Sequence, residues 1–196
     1  MADNTVNYPT RLTIDYPDRS LNRLTSFFRI FTVIPIGIVL SLMGGRGSTS
    51  ILFFPTLLML LFQHKYPKWW FDWNLAMTKF GTRVLSYLSL FTDVYPSTDE
   101  EQAVHLEITY PDAKKDLTNW YPLVKWFLAI PHYIILYFLT IAACVCVVLA
   151  WFAILFTGRY PRGLFDFVAG VYKWDLRVTS YAFILSTDQY PPFSMD

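Results

Sequence analysis

Long apolar segments alternate with amphipathic and polar ones along the chain. Apolar residues dominate from about 24 to 64, where a glycine- and serine-rich turn at 44–50 interrupts them, and again from 123 to 157. Over residues 123–156 of the second segment, 34 residues in all, Lys125 is the only charge. As one straight helix those residues would measure about 51 Å, against ~30 Å of bilayer hydrocarbon. We therefore predict a transmembrane hairpin in each segment, the second turning near residues 140–144.

The return leg of the first hairpin is short. Residues 51–62 would cover about 18 Å as a helix, less than the hydrocarbon thickness. We favour a helix that spans the membrane with extensions at both ends. A shallow monotopic hairpin that only dips into the membrane is the competing interpretation.

Amphipathic and alternating stretches flank the hairpins. Residues 69–91 and 163–185 mix charges with tryptophan and tyrosine, as expected of helices lying at the lipid headgroups. Residues 11–15 and 105–109 alternate apolar and polar positions before a Tyr-Pro turn, which predicts two short strands. The strands could pair with each other outside the membrane. An isolated two-stranded ribbon is marginal in water, so this one would need the membrane unit or a partner to lean on.

The chain repeats itself at an offset of 94 residues. Residues 65–72 (KYPKWWFD) resemble residues 159–166 (RYPRGLFD), and residues 61–87 share 11 identities in 27 positions with the stretch 94 residues later. Internal repeats of this kind predict architecture. We predict two tandem copies of one unit.

The predicted fold is an all-α membrane protein made of two parallel repeats. Residues 1–96 form the first and 104–196 the second, joined by the acidic linker 97–103. Each would hold a short cytoplasmic strand, a transmembrane helical hairpin and an amphipathic interfacial helix. Fifteen of the sixteen lysines and arginines lie outside the hairpin tips, and the positive-inside bias places them in the cytoplasm. The expected location is multi-pass in the bacterial inner membrane, with both termini cytoplasmic.

Composition agrees with a membrane environment. The chain is 54% hydrophobic and only 16% charged, whereas soluble domains average about 25% charged residues. A net charge of +1 argues against a nucleic-acid-binding protein. Cys144 and Cys146 would point about 200° apart on a helix, which disfavours a disulfide. A metal site built on them is the minor alternative.

Residues 65–72 and 159–166 are two copies of a basic box, the first and the second, in which basic residues flank a Tyr-Pro pair. Lys65, Lys68, Arg159 and Arg162 would each attract anionic lipid by roughly 1 kcal/mol at the cytoplasmic surface. Orientation of the chain by the positive-inside bias explains them equally well.

Each half contains an aspartate that precedes an arginine by the same number of residues. Asp72 and Arg83 are 11 residues apart, as are Asp166 and Arg177. On one helix these side chains share a face but lie about 16 Å apart. We favour a structural role: either an ion-pair lock between the repeats, Asp72 with Arg177 and Asp166 with Arg83, or capping of each helix by the aspartate in its first turn. A substrate or lipid-headgroup site is the alternative.

No catalytic constellation is recognisable in the sequence. It contains no G-x-S-x-G, H-E-x-x-H or Walker motif, and we expect neither an enzyme nor a cofactor. Ligation of haem or a metal by His64 or His132 is the weakest hypothesis, because neither belongs to a pair at ligand spacing.

The second half resembles a known family. Residues 150–161 (AWFAILFTGRYP), 163–166 (GLFD) and 188–193 (DQYPPF) resemble the bacterial membrane family named domain of unknown function four-three-eight-nine. The resemblance is close over 106–196 and weaker over 11–96. The first half departs from the motif: Gln63-His64 stands for Thr157-Gly158, Trp69-Trp70 for Gly163-Leu164, and a second proline and phenylalanine are missing after Tyr95-Pro96. The resemblance implies the fold and no activity.

Three functional hypotheses follow. The first is a non-catalytic accessory or scaffold subunit that binds other membrane proteins, with Trp69, Trp70 and Trp73 as docking candidates. The second is a lipid-binding or lipid- and solute-transporting component that uses the two basic boxes. The third is an enzyme or cofactor subunit that uses His64 or His132. Membrane lipids are expected partners under the first two.

Overall fold

The computed structural model describes residues 8–18, 20–42, 53–98, 100 and 102–195. In chain order the elements are β1 (Thr10–Ile14), α1 (Arg23–Phe27), α2 (Arg29–Leu42), α3 (Phe53–Gln63), α4 (Lys68–Leu88), β2 (Val104–Ile108), α5 (Tyr121–Leu128), α6 (Ile130–Thr157) and α7 (Arg162–Thr179). A π-helical turn, Ser180–Ile184, extends α7, and another closes α3. The protein is therefore mostly helical with one small sheet. The turn predicted at 44–50 lies outside the described residues.

The two predicted strands pair with each other. β1 and β2 are antiparallel, with Leu12 opposite Leu106 and Arg11 opposite Glu107. Alternate residues of both strands are buried, as a half-buried ribbon requires. The buried side of β1 packs on α7, and that of β2 packs on α4. The two predicted strands are confirmed, and the elements that support their ribbon are α7 and α4.

The helices stack on the ribbon in the same order in both halves. α6 packs on α7, which packs on β1, and α2 packs on α4, which packs on β2. The larger core cluster joins α6 to α7, with Ala150, Ile154 and Val168 all fully buried. Apolar helices thus form one layer, amphipathic helices a second and the sheet a third.

The predicted turn near residues 140–144 is wrong. α6 is a continuous helix of 28 residues through this region, about 42 Å long. The chain instead breaks at Ala129, where Pro131 suits the first turn of a new helix. Nothing between 140 and 144 supplies turn chemistry, since the sequence there is Thr-Ile-Ala-Ala-Cys. The second half therefore offers one helix long and apolar enough to span a membrane, and the even number of crossings predicted for it loses its basis.

The amphipathic helices are more deeply buried than predicted. α7 buries nine residues, because it contacts α6 on one side and the sheet on the other. α4 buries eight. These helices form the interior of the described structure rather than a peripheral layer.

A left-handed glycine ends α6. Gly158 has a φ of +74° and donates its N–H to the carbonyl of Ile154. We expect Gly158→Ala to lower the free energy of unfolding by roughly 1–2 kcal/mol, the cost of the left-handed conformation for a residue with a Cβ. An added Cβ would meet no atom closer than 3.8 Å, so the cost is conformational rather than steric.

The matched control for Gly158→Ala is Gly163→Ala in the first turn of α7. Its added Cβ would meet nothing within 4 Å, and alanine favours a helix. Denaturant unfolding in detergent, followed by tryptophan fluorescence, measures both variants. Equal stability of the two would contradict the assignment.

Candidate functional site

The first basic box lines an open groove. His64, Lys65, Tyr66 and Pro67 form one wall and residues 110–114 the other, around a volume of ≈ 490 Å³. The Tyr110 hydroxyl donates to the carbonyl of Tyr66 at 2.6 Å, which ties the two walls together. Lys65 and Lys114 are exposed. The groove is therefore lined by two exposed lysines, by the rings of Tyr66 and Tyr110, and by the carboxylate of Asp112.

The second box packs against the turn that follows β1. The Tyr16 hydroxyl donates to the carbonyl of Tyr160 at 2.5 Å. The Arg162 guanidinium lies 4.6 Å from the centre of the Tyr16 ring and 3.9 Å from Asp18. Arg159 is exposed. Here one of the two predicted cations already has protein partners.

In each half, the box is contacted by a tyrosine that follows the strand of the other half. Tyr110, from the second half, contacts the first box, whereas Tyr16, from the first half, contacts the second box. Each strand accordingly packs on the amphipathic helix of the other half. The exchange ties residues 10–16 and 104–110 to helices far away in sequence.

Arg83 and Arg177 serve as tethers for chain segments. Both are buried. Arg83 donates to the carbonyls of Ser97 and Thr98 at 3.0 and 3.2 Å, and Arg177 donates to the carbonyl of Ser194 at 3.3 Å. The proposed carboxylate partners, Asp72 and Asp166, are exposed. Both guanidinium groups thus donate to backbone carbonyls, and the two aspartates of the predicted lock lie at exposed positions.

The three candidate tryptophans occupy different environments. Trp70 is half-buried and donates its Nε1–H to the Thr56 hydroxyl at 2.8 Å. Trp69 and Trp73 are 67% and 43% exposed and lie one turn apart on α4. The exposed pair, with Lys68 and Asp72 beside it, is the part of this set that a partner could reach.

A buried cation that the sequence did not assign lies at the start of α2. The Arg29 side chain, 2% exposed, forms a 2.5 Å ion pair with Asp93. It also donates to the carbonyls of Tyr87 and Thr92 and lies over the Tyr87 ring at 4.3 Å. The other oxygen of Asp93 accepts from the backbone N–H of Asn22 at 2.8 Å.

A second buried cation, in the other half, has a similar set of partners. Lys125, with a fully buried side chain, forms a 2.7 Å ion pair with Asp188 and donates to the carbonyl of Thr187 at 2.7 Å. Its amine lies 5.3 Å from the centre of the Tyr181 ring. The other Asp188 oxygen accepts from the backbone N–H of Thr118 at 2.8 Å.

Each of these two clusters holds a buried cation paired with an aspartate. Burial lowers the pKa of the Lys125 amine, which lies in α5 outside the candidate span, and the bond to Asp188 opposes that shift. A signal was present in the sequence: each half carries one cation at the start of an apolar segment and one Thr-Asp-x-Tyr-Pro motif, 92–96 and 187–191. Charges near lipid need partners, and these were the available ones.

The two histidines proposed as alternative ligands lie in separate sites. His64 donates its Nε2–H to the carbonyl of Leu117 at 2.9 Å. His132 is fully buried, accepts from the Trp174 indole at Nδ1, and stacks on the Phe193 ring at 3.9 Å. Among the described residues, no three His, Cys, Asp or Glu side chains lie close enough to hold a metal ion.

Comparison with known proteins supports the resemblance for the second half. No curated protein and no solved structure matches the chain. One family model matches residues 120–195, which include α5, α6, α7, the buried Lys125–Asp188 pair and the His132 site. The resemblance predicted for residues 11–96 stays a prediction. The C-terminal part of the chain, residues 120–195, thus matches the family described as Domain of unknown function (DUF4389).

Proposed function

We propose that this protein is a non-catalytic, membrane-resident accessory or scaffold subunit that binds other membrane proteins. The supporting observation is the layer of apolar helices, whose outer side chains are more than 45% exposed at positions such as Phe31, Ile34, Phe138, Val145 and Phe156. Soluble monomers rarely expose apolar patches beyond a few hundred Å². A membrane or a partner must cover a layer of this kind.

The partner would dock on the exposed tryptophans of α4. Trp69 and Trp73 present large ring surfaces one turn apart, and aromatic side chains carry much of the binding energy at protein interfaces. Lys68 and Asp72 lie beside them and are exposed, as polar residues at the rim of an interface are.

Gentle extraction of the tagged protein from its host, with mass spectrometry of protein and lipid together, tests this proposal. We expect partner chains in fixed stoichiometry and at least a tenfold loss of them in the Trp69→Ala/Trp73→Ala variant. Trp120→Ala is the control, because Trp120 is 61% exposed and precedes α5 instead of belonging to α4. A protein that purifies alone, or equal loss in the control, would refute the docking site.

A second candidate function is binding of anionic lipid or a small solute in the groove beside the first box. The exposed Lys65 and Lys114 amines on a groove of ≈ 490 Å³ favour it. In the same experiment, a lone protein that carries a defined anionic lipid would support this alternative. The lipid would then be lost in Lys65→Ala/Lys114→Ala, by about fivefold for each ~1 kcal/mol removed.

We also propose that the two halves are tandem copies of the family's unit, facing the cytoplasm of a bacterial inner membrane with their charged side. The matched ion pairs Arg29–Asp93 and Lys125–Asp188 support this. So do the left-handed residues His64 and Gly158, 94 positions apart at the ends of α3 and α6. The bias of lysine and arginine supports the cytoplasmic assignment.

A further inference from the structure

α6 and the sheet lie on opposite sides of α7. Trp174 of α7 donates to His132 of α6 at 3.0 Å, whereas Leu176 packs in the cluster that contains the sheet residues Leu12 and Leu106. Two residues on a helix point about 200° apart. α7 is therefore the middle layer between α6 and the ribbon.

The ribbon runs alongside α7 over most of its length. The Tyr8 hydroxyl, just before β1, donates to the carbonyl of Arg177 at 3.4 Å. The Tyr16 ring, just after β1, lies 5.1 Å from the Phe165 ring. β1 thus extends from the beginning of α7 nearly to its end. α6 runs antiparallel to α7, since His132 is near Trp174 and a short link joins the other two ends.

A spanning α6 would carry the ribbon into the hydrocarbon. In the described chain the sheet has two strands, so each has one edge without a strand partner. Its outer face carries the exposed residues Arg11, His105 and Glu107. Open strand edges do not occur in contact with lipid, because each unsatisfied backbone group costs several kcal/mol there, and exposed charged side chains are costly there as well. The ribbon therefore requires water on its outer side.

The apolar layer has the opposite character. Along α6, Ile134, Ile141, Val145 and Phe152 lie on one stripe and are each about half exposed, directly opposite the buried stripe that includes Leu136 and Ala143. α1 extends this layer toward α2, since Phe27 stacks on Trp151 of α6 at 6.2 Å. The outer stripe of α6 contains no charged residue.

We propose that the protein is monotopic: α6 lies parallel to the membrane plane, with its outer stripe in the hydrocarbon of one leaflet and the ribbon in water. This placement rests on the membrane residence proposed above and specifies its geometry. It satisfies the open strand edges and covers the apolar layer at once. Although α6 is long enough to cross the bilayer, its packing against α7 and the sheet opposes a crossing.

The test measures the depth of α6 directly. Single spin labels are placed on the full chain at Ile134→Cys, Ile141→Cys, Val145→Cys and Phe152→Cys, with Cys144→Ala and Cys146→Ala as the cysteine-free background. In lipid vesicles, the ratio of oxygen to nickel-complex accessibility gives the depth of each label. We expect four similar depths below the headgroups. A spanning helix would place 134 and 152, about 27 Å apart, near the surfaces and 141 and 145 near the centre, which would overturn the proposal.

A second measurement, which does not depend on the depth of a label, determines on which side of the membrane the two ends of the α5–α6 segment lie. Asn119→Cys before α5 and Arg159→Cys after α6 are both exposed positions. A membrane-impermeant maleimide added to sealed vesicles should label both from the same side. Labelling from opposite sides, or labels on α6 that contact no lipid, would overturn the monotopic placement. The partner purification described above is made in detergent and does not depend on this result, so the two proposals can fail separately.

Discussion

Lys125→Ala should lower the free energy of unfolding by roughly 3–5 kcal/mol, the cost of removing one partner from a buried ion pair. The Lys125 side chain is fully buried and its amine bonds both Asp188 and the carbonyl of Thr187. The Asp188 side chain is only 21% exposed, so the variant would leave a largely buried carboxylate without its lysine. Denaturant unfolding in detergent measures the loss. A change below about 1 kcal/mol, the range of exposed pairs, would contradict the assignment.

Two companion variants separate the ion pair from general damage. Lys125→Met with Asp188→Asn removes both charges and keeps most of the volume, so it should recover part of the loss. Asp166→Asn changes an exposed aspartate on α7 and should shift stability by no more than about 0.5 kcal/mol. A double variant as unstable as Lys125→Ala would indicate that packing, rather than charge, dominates at this site.

Local patterns predicted the secondary structure well. The alternation in residues 11–15 and 105–109 predicted both strands within one residue of their observed bounds. The two strands pair with each other, as the sequence allowed, and the structure shows the pairing to be antiparallel. The amphipathic helices start one residue before the predicted positions. These features depend on neighbours a few residues apart, which a sequence displays directly.

The prediction of a hairpin in the second half was wrong because it rested on the length of the apolar segment and not on residues that favour a turn. The 34 apolar residues do exceed one membrane span, but the break falls at Ala129, before Pro131, instead of near residue 142. Proline favours the first turn of a helix, and Pro131 lies in the first turn of α6. Pro131 was therefore the stronger indicator of where the segment divides.

The charged clusters were missed because their partners are far apart in sequence. Arg29 and Asp93 are separated by 64 positions, and Lys125 and Asp188 by 63. The aspartates lie in polar turns where an exposed carboxylate is the ordinary expectation. In contrast, we predicted ion pairs for Asp72 and Asp166 because each lies 11 residues before an arginine, yet both aspartates are exposed. Spacing identifies residues that share a helix face but not the elements that pack against it.

Arg29→Ala should cost about as much as Lys125→Ala, roughly 3–5 kcal/mol, whereas Arg29→Lys should cost only about 1–3 kcal/mol. The Arg29 guanidinium bonds Asp93 and the carbonyls of Tyr87 and Thr92. A lysine at this position could still reach Asp93 and Thr92, as Lys125 reaches the equivalent Asp188 and Thr187. The bond to Tyr87 would be lost, which is worth about 1–3 kcal/mol for a charged donor.

The reverse exchange, Lys125→Arg, sharpens the comparison. The Lys125 side chain has no exposed surface, so the larger guanidinium should strain a closed site and cost about 1–3 kcal/mol through overpacking. We would measure the unfolding free energies of Arg29→Ala, Arg29→Lys and Lys125→Arg together. They test whether a lysine can fill the position of the buried cation in both halves. If Arg29→Lys proved as damaging as Arg29→Ala, the two clusters would not be equivalent, and the proposal that the halves are copies of one unit would lose its strongest structural support.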